Sequence, residues 1–138
     1  MQREVPEEIN IAACKIAKKY NVLTVLDIGG ADIPLTDELL SLLDIISPNT
    51  TELKRITGKE IDVKNEKELI SVIEELREKS KNKNLEILLK LGSQGAMFID
   101  KSNSTIKQNA FKFDDLPIVD TTGAGVKVLP AQSSNTVN

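Results

Sequence analysis

The chain contains no histidine and one cysteine, Cys14, in its 138 residues. Without imidazole there is no His-based triad and no His general base, so any chemistry falls to carboxylates, lysines or bound ligands. One thiol makes no internal disulfide, and lacking histidine the chain has no Cys/His spacing that would hold structural zinc. A reducing, cytoplasmic compartment is the expectation. Basic residues are not in excess: 18 Lys and Arg stand against 21 Asp and Glu, a formal net charge of −3. That balance offers no basic field to a nucleic-acid backbone or an anionic membrane. Long apolar runs are missing too. The opening MQREVPEEINIAACKIAKKY threads Glu and Lys through its apolar residues, so it reads as neither a signal peptide nor a membrane span. No internal repeat is visible. What is present, 40% hydrophobic and 28% charged residues, suits one compact globular domain of this length.

Hydrophobic spacing lays out alternating helices and strands. Pro6 suits the first turn of a helix over residues 6–20, with Ile9, Ala12, Ala13, Ile16, Ala17 and Tyr20 forming its buried face. Cys14 reads as a helix residue near the core, without a redox role. The β-prone run from Val22 to Ile28 predicts a strand buried on both faces, ended by Gly29 and Gly30. Thr36 caps a short helix carrying Leu39, Leu40, Leu42 and Leu43, and residues 44–47 read as a brief strand. A further helix starts at Pro48 and Asn49 and stops at Gly58. Asn65 and Glu68 have capping-box spacing ahead of a helix ending near Ser80, with Leu69, Val72, Ile73 and Leu76 on one face. Residues 85–91 and 96–100 predict a hairpin around the turn 92–95, and 105–113 an added edge strand. Strands alternating with helices indicate an α/β fold around a mainly parallel sheet. Beyond residue 125 the helical period is lost and the Pro/Ser/Asn-rich residues 126–138 read as a divergent, disordered tail.

Three segments carry residues suited to chemistry. In Asp120-Thr121-Thr122-Gly123-Ala124-Gly125, small residues after a short strand let backbone N–H groups converge on an anion. Alone, such a turn is more often an ordinary tight turn. Asn49 and Glu52 stand three apart at a helix start. They either face one pocket and order water around a phosphate-bound Mg²⁺, or simply close a capping box. Lys90, ahead of Leu91-Gly92-Ser93-Gln94-Gly95, is either a ligand contact or a solvated strand charge. All three segments fall at predicted strand ends, where ligands gather in open α/β sheets.

In order and spacing these pieces resemble the ribokinase-like carbohydrate kinases, whose pattern runs Asn-x-x-Glu, Thr-Leu-Gly-x-x-Gly and Asp-Thr-Thr-Gly-Ala-Gly-Asp. The opening Met1 to Glu8 is similar to that family's mid-chain segment, so the resemblance covers residues 1–125. It implies a ribokinase-like three-layer sandwich, incomplete at its N-terminal half, and the transfer of phosphate from ATP to the primary hydroxyl of a pentose such as ribose. ATP or ADP and the sugar would be the ligands, with Mg²⁺ and K⁺ as ions. On this resemblance Asn49 and Lys90, Leu91, Gly92, Ser93, Gln94 and Gly95 border the nucleotide, and Glu52 organises Mg²⁺ through water. Glu4 touches the sugar. Gly123, Ala124 and Gly125 form the anion hole that stabilises the transferring phosphoryl group, and Asp120 and Thr122 match positions that hold a monovalent cation.

Two departures from the family pattern bear on activity. The Asp that follows Gly-Ala-Gly and takes the proton of the attacking hydroxyl is replaced by Val126, which cannot act as a base. The family's N-terminal half, with its sugar-recognition loop and lid, has no counterpart in the sequence. The expectation is a truncated chain that is inactive or nearly so. The competing reading is a noncatalytic nucleotide-binding remnant, or a fragment that joins a full-length subunit through an exposed sheet edge, with a homodimer also open.

Overall fold

Four helices and five strands follow one another much as the spacing predicts, in a computed structural model that describes residues 1–29 and 34–111. The expected tail at 126–138, the outer part of the expected edge strand and the segment 120–125 lie outside the described residues. Helix α1 spans Glu7–Lys19, with Glu7 and Glu8 in its first turn and Lys18 and Lys19 in its last, a distribution that complements the helix dipole. Strand β1 is Val25–Asp27, shorter than the expected run from Val22 to Ile28, because Val22 and Leu23 stand 57% and 52% exposed ahead of it and are not buried on two faces. Helix α2, Asp37–Leu42, is capped by Thr36, whose hydroxyl oxygen accepts from the Leu39 N–H and whose O–H donates to Glu7 at 2.6 Å. Strand β2 is Ile45–Ser47 and helix α3 is Thr50–Thr57, ended by Gly58 in the left-handed conformation that favours glycine. Helix α4, Glu66–Lys79, starts where the Asn65 side chain accepts from the Glu68 N–H. Strands β3 (Glu86–Lys90) and β4 (Ala96–Ile99) are joined by a single 3₁₀ turn, Gly92–Gln94, and β5 is Thr105–Gln108.

The sheet runs in sequence order, β1-β2-β3-β4-β5. Pairing is parallel from β1 to β3 and antiparallel from β3 to β5. The helical crossovers account for the parallel part, and the short turn at Gly92–Gln94 permits only an antiparallel return. Period-two alternation then divides the strands between two faces. Leu26, Ile46, Ile87, Leu89, Met97 and Ile99 join Cys14, Leu39, Leu53, Leu69 and Ile73 in one buried cluster. All four described helices therefore cover the same face of the sheet. Ile45, Leu88 and Ala96, with Val25 and Phe98 beside them, make a smaller cluster on the opposite face.

Arg77 ties α4 to the far end of the hairpin. Its guanidinium donates to the Leu85 carbonyl at 2.8 Å, the Asn103 side chain at 2.6 Å and the Asp100 carbonyl at 2.7 Å. Burial lowers its pKa, with Glu74 and Asp100 acting in the opposite direction, and the three acceptors compensate the buried charge.

One expectation fails at α1. The helix forms where predicted, but Ile9, Ile16 and Tyr20 are 56%, 60% and 66% exposed, and Ala12 and Ala13 are exposed with them. Asn10 and Cys14 are buried instead. The reason lies in the first two residues, which run along the outer edge of β1. The Met1 ammonium donates to the Val25 carbonyl at 2.7 Å, and the Met1 carbonyl accepts from the Asp27 N–H at 3.0 Å. Asn10 must face inward to donate to the Gln2 carbonyl at 2.9 Å, and the Cys14 sulfur sits 3.9 Å from that of Met1. These contacts hold the Asn10 and Cys14 side of the helix against the first two residues.

Candidate functional site

Parallel pairing brings the C-terminal ends of β1, β2 and β3 to one edge of the sheet, where Asp27, Ser47 and Lys90 end their strands. The chain leaving β2 turns through Pro48 into α3. Asn49 forms a bridge beside Lys90, and the Lys90 N–H donates to the Pro48 carbonyl at 2.8 Å. This rung fixes the N-terminus of α3 against the end of β3.

Asn49 and Glu52 close a full capping box. The Asn49 side chain accepts from the Glu52 N–H at 2.8 Å, and Glu52 Oε2 accepts from the Asn49 N–H at 2.7 Å. Capping and a site role are compatible here, because capping uses Oε2 alone and holds the carboxylate at the mouth of the strand-end crevice. Glu52 Oε1 lies 3.8 Å, and Asp27 Oδ1 3.4 Å, from the point where a Cβ on Gly29 would stand. A side chain at position 29 would fill the space between the two carboxylates.

Lys90 is neither solvated nor unpaired. Its Nζ lies 2.8 Å from Asp27 Oδ1 and 4.0 Å from Glu52 Oε2, with only 17% of its side chain exposed. The Asp27 oxygen also accepts from the Gly29 N–H at 3.0 Å. The sequence reading missed Asp27, although an acid ending an apolar strand ahead of Gly-Gly was a signal that could have found it. Asp27, Glu52 and Lys90 together carry one excess negative charge. Arg3, Arg55 and Lys79 line the pocket that Glu52 borders and add positive charge around it.

Beyond Lys90, residues 92–95 turn sharply. The Leu91 N–H donates to the Gly95 carbonyl at 2.8 Å, and Gly92 and Gly95 both have positive φ. At Gly95 glycine is required twice over, because φ is +97° and a Cβ would stand 1.9 Å from the Gln108 carbonyl oxygen. The close approach of the β5 end to this turn depends on it.

The structure thus brings together Asn49, Glu52, Lys90 and the turn from Leu91 to Gly95. Glu4 stands exposed on the turn ahead of α1, and among the described residues no hydrogen bond joins it to that group. Asp120, Thr122, Gly123, Ala124, Gly125 and Val126 lie outside the described residues. Among the described residues no group of three His, Cys, Asp or Glu side chains could hold a metal ion directly. Glu52, with Oε1 outside its capping box, suits a metal held through water. Cys14 lies apart from this edge. Its burial pushes the thiol pKa up, and Asp44 adds to the rise.

A family model described as pfkB family carbohydrate kinase matches residues 1–125. The chain is 38% identical over 126 residues to a ribokinase of Arabidopsis thaliana, an alignment covering 91% of this chain and 31% of the relative. It is 39% identical over 129 residues to a ribokinase of Staphylococcus aureus, covering 90% of this chain and 38% of the relative. A solved structure of the Arabidopsis thaliana ribokinase complexed with ribose and ATP superposes with a TM-score of 0.77 at 36% identity, over 90% of this chain and 38% of that one. The chain spans roughly a third of the length of these relatives. Among the described residues no helix is long and apolar enough to cross a membrane.

Proposed function

Because the chain belongs to the pfkB family of carbohydrate kinases, we propose that the strand-end crevice is the nucleotide side of a ribokinase-type site and binds the phosphates of ATP or ADP. The carrying observation is the Lys90 ammonium, held between Asp27 and Glu52 beside the Gly92–Gly95 turn. An ammonium fixed at the end of a parallel strand is placed to meet a phosphate, and the glycines of the turn let backbone approach it closely. Mg²⁺, bound with the nucleotide, would neutralise charge on the transferring phosphoryl group. Glu52 would hold it through water, consistent with a carboxylate that is already immobilised by its cap and offers one further oxygen.

In the complete reaction the acceptor would be the primary hydroxyl of a pentose, ribose above all, with Glu4 in contact with the sugar. Gly123, Ala124 and Gly125 would serve as the anion hole, and Asp120 and Thr122 would shape that loop around K⁺. The base position holds Val126, which has no group to accept the hydroxyl proton. This chain therefore binds nucleotide without appreciable turnover.

A coupled ADP-release assay with ribose, ATP, Mg²⁺ and K⁺, run beside calorimetric ATP binding, tests both halves of the reading. The expected result is saturable ATP binding and no ADP release above background. Release at rates typical of kinases, about 1 to 100 per second, would show that another group serves as base. Absence of ATP binding would end the nucleotide assignment. The Val126→Asp variant belongs in the same assay, since any gain there assigns the lost turnover to the missing carboxylate.

A further inference from the structure

Among the described residues, Ser47 is the one buried side chain whose polar atom has no hydrogen-bond partner. Its hydroxyl is fully enclosed at the C-terminal end of β2, and a buried hydroxyl left unpaired is costly enough to require an explanation. Strand alternation gives its surroundings. Leu26 and Ile46 belong to the main cluster, so Asp27 and Ser47 face the other side of the sheet, with Val25, Ile45 and Leu88. Lys90, two residues after Leu88, shares that side. Asp27 is the register partner of Ser47 in the parallel pair, and the Ile28 N–H donates to the Ser47 carbonyl at 3.4 Å. The Asp27–Lys90 ion pair therefore joins β1 to β3 across β2, on the face and at the strand end where Ser47 stands.

The two bonds that the Asp27 carboxylate accepts among the described residues both go to Oδ1, from the Gly29 N–H and the Lys90 ammonium. The Asp27 side chain is only 25% exposed, so losing its cation would leave a poorly hydrated charge. A phosphate that draws the Lys90 ammonium to itself imposes that loss. A replacement donor offsets it only if it stands within reach and is not already engaged. Ser47 meets both conditions. Its side chain lies beside that of Asp27 on the neighbouring strand, its hydroxyl turns among staggered positions without backbone movement, and no described group holds it. A hydroxyl donating to a carboxylate makes a charge-assisted bond, roughly twice as strong as a neutral one.

We propose that Ser47 is a positioning residue of the strand-end crevice: when nucleotide phosphate draws the Lys90 ammonium off Asp27, the Ser47 hydroxyl donates to the Asp27 carboxylate in its place. This role rests on the reading of the crevice as a nucleotide site. Ser47 does not touch the ligand, since it is fully buried, and acts through Asp27 and Lys90. Its hydroxyl is unpaired in the free chain because its partner is still occupied by lysine. Removing it therefore costs the free chain nothing and costs the nucleotide complex a charge-assisted bond.

Calorimetric titration with ATP and Mg²⁺, together with melting temperatures measured without nucleotide, tests the proposal on the full chain. Ser47→Ala is expected to bind ATP about tenfold more weakly than the parent, and Ser47→Thr, which keeps the hydroxyl, to bind as the parent does. Without nucleotide, Ser47→Ala is expected to melt at or slightly above the parent temperature. In a Lys90→Met chain, where Asp27 has lost its cation for good, the same substitution is expected to lower the melting temperature by about 5 °C. Parent-like ATP binding by Ser47→Ala would overturn the role of Ser47 and leave the nucleotide reading standing. An equal fall in melting temperature in both backgrounds would also overturn it, by showing a purely structural hydroxyl. Failure of the parent itself to bind ATP would overturn the nucleotide reading and this role with it. The titrations decide alone should the double variant not fold.

Discussion

At the scale of single residues, the main effects come from polar groups that must be satisfied where they are buried. Cys14 is fully buried on α1, and its thiol is pushed above the ordinary value of 9.0, first by desolvation and then by Asp44. In the native state it holds its proton to higher pH than in the unfolded chain. Between the two pKa values the native state binds more protons, so the contribution of this group to stability is complete below the unfolded value and is lost as pH rises through the native one. The melting temperature of the parent is therefore expected to fall more steeply with pH than that of Cys14→Ala once the pH passes the ordinary thiol value of about 8.5 to 9. Parallel slopes would show that Cys14 does not carry the effect. At the strand ends the Lys90 ammonium is shared by two carboxylates and so is held in place before any ligand arrives.

At the scale of elements, the turn between β3 and β4 limits what can be changed. Gly95→Ala would set a methyl group 1.9 Å from the Gln108 carbonyl oxygen and 2.6 Å from the Ala110 nitrogen, both backbone atoms with little freedom to move. Together with the left-handed φ, this is expected to cost about 3 kcal/mol or more and to release β5 from β4. Chemical denaturation measures the first effect, and hydrogen exchange at the amides of residues 105–108 the second. An unchanged midpoint with unchanged protection would contradict the close approach seen here. Arg77 holds the opposite end of the same hairpin through its three acceptors, so the two ends of β4 are secured by different means.

At the scale of the whole molecule, nucleotide binding and stability are linked. A ligand that binds only the folded chain at about a hundred times its dissociation constant adds about 2.7 kcal/mol, a rise in melting temperature on the order of 5 to 10 °C. ATP with Mg²⁺ is expected to produce such a rise in the parent chain. Lys90→Met is expected to weaken ATP binding about tenfold, close to 1.4 kcal/mol, and so to remove roughly half of it, each variant being compared with its own melting temperature without nucleotide. An equal rise in both would remove Lys90 from the phosphate contact while leaving the fold assignment intact.

The sequence alone determined the order of helices and strands, their caps, and the short motifs that carry the candidate site residues. Asn49, Glu52 and the Gly92–Gly95 turn were legible because capping and turn formation are local demands, satisfied within a few residues of chain. Glu52 closes the capping box that its spacing suggested, and its capping bonds leave Oε1 outside the box. Only the tertiary structure decided which face of α1 is inside. The apolar period marks Ile9, Ile16 and Tyr20, but it is the Asn10 and Cys14 side that is held against the first two residues, which pair along β1. The structure alone also joined Asp27 to Lys90, 63 residues apart in the chain and 2.8 Å apart in space. No spacing rule reaches that far, because the pair exists only once parallel strands align their ends.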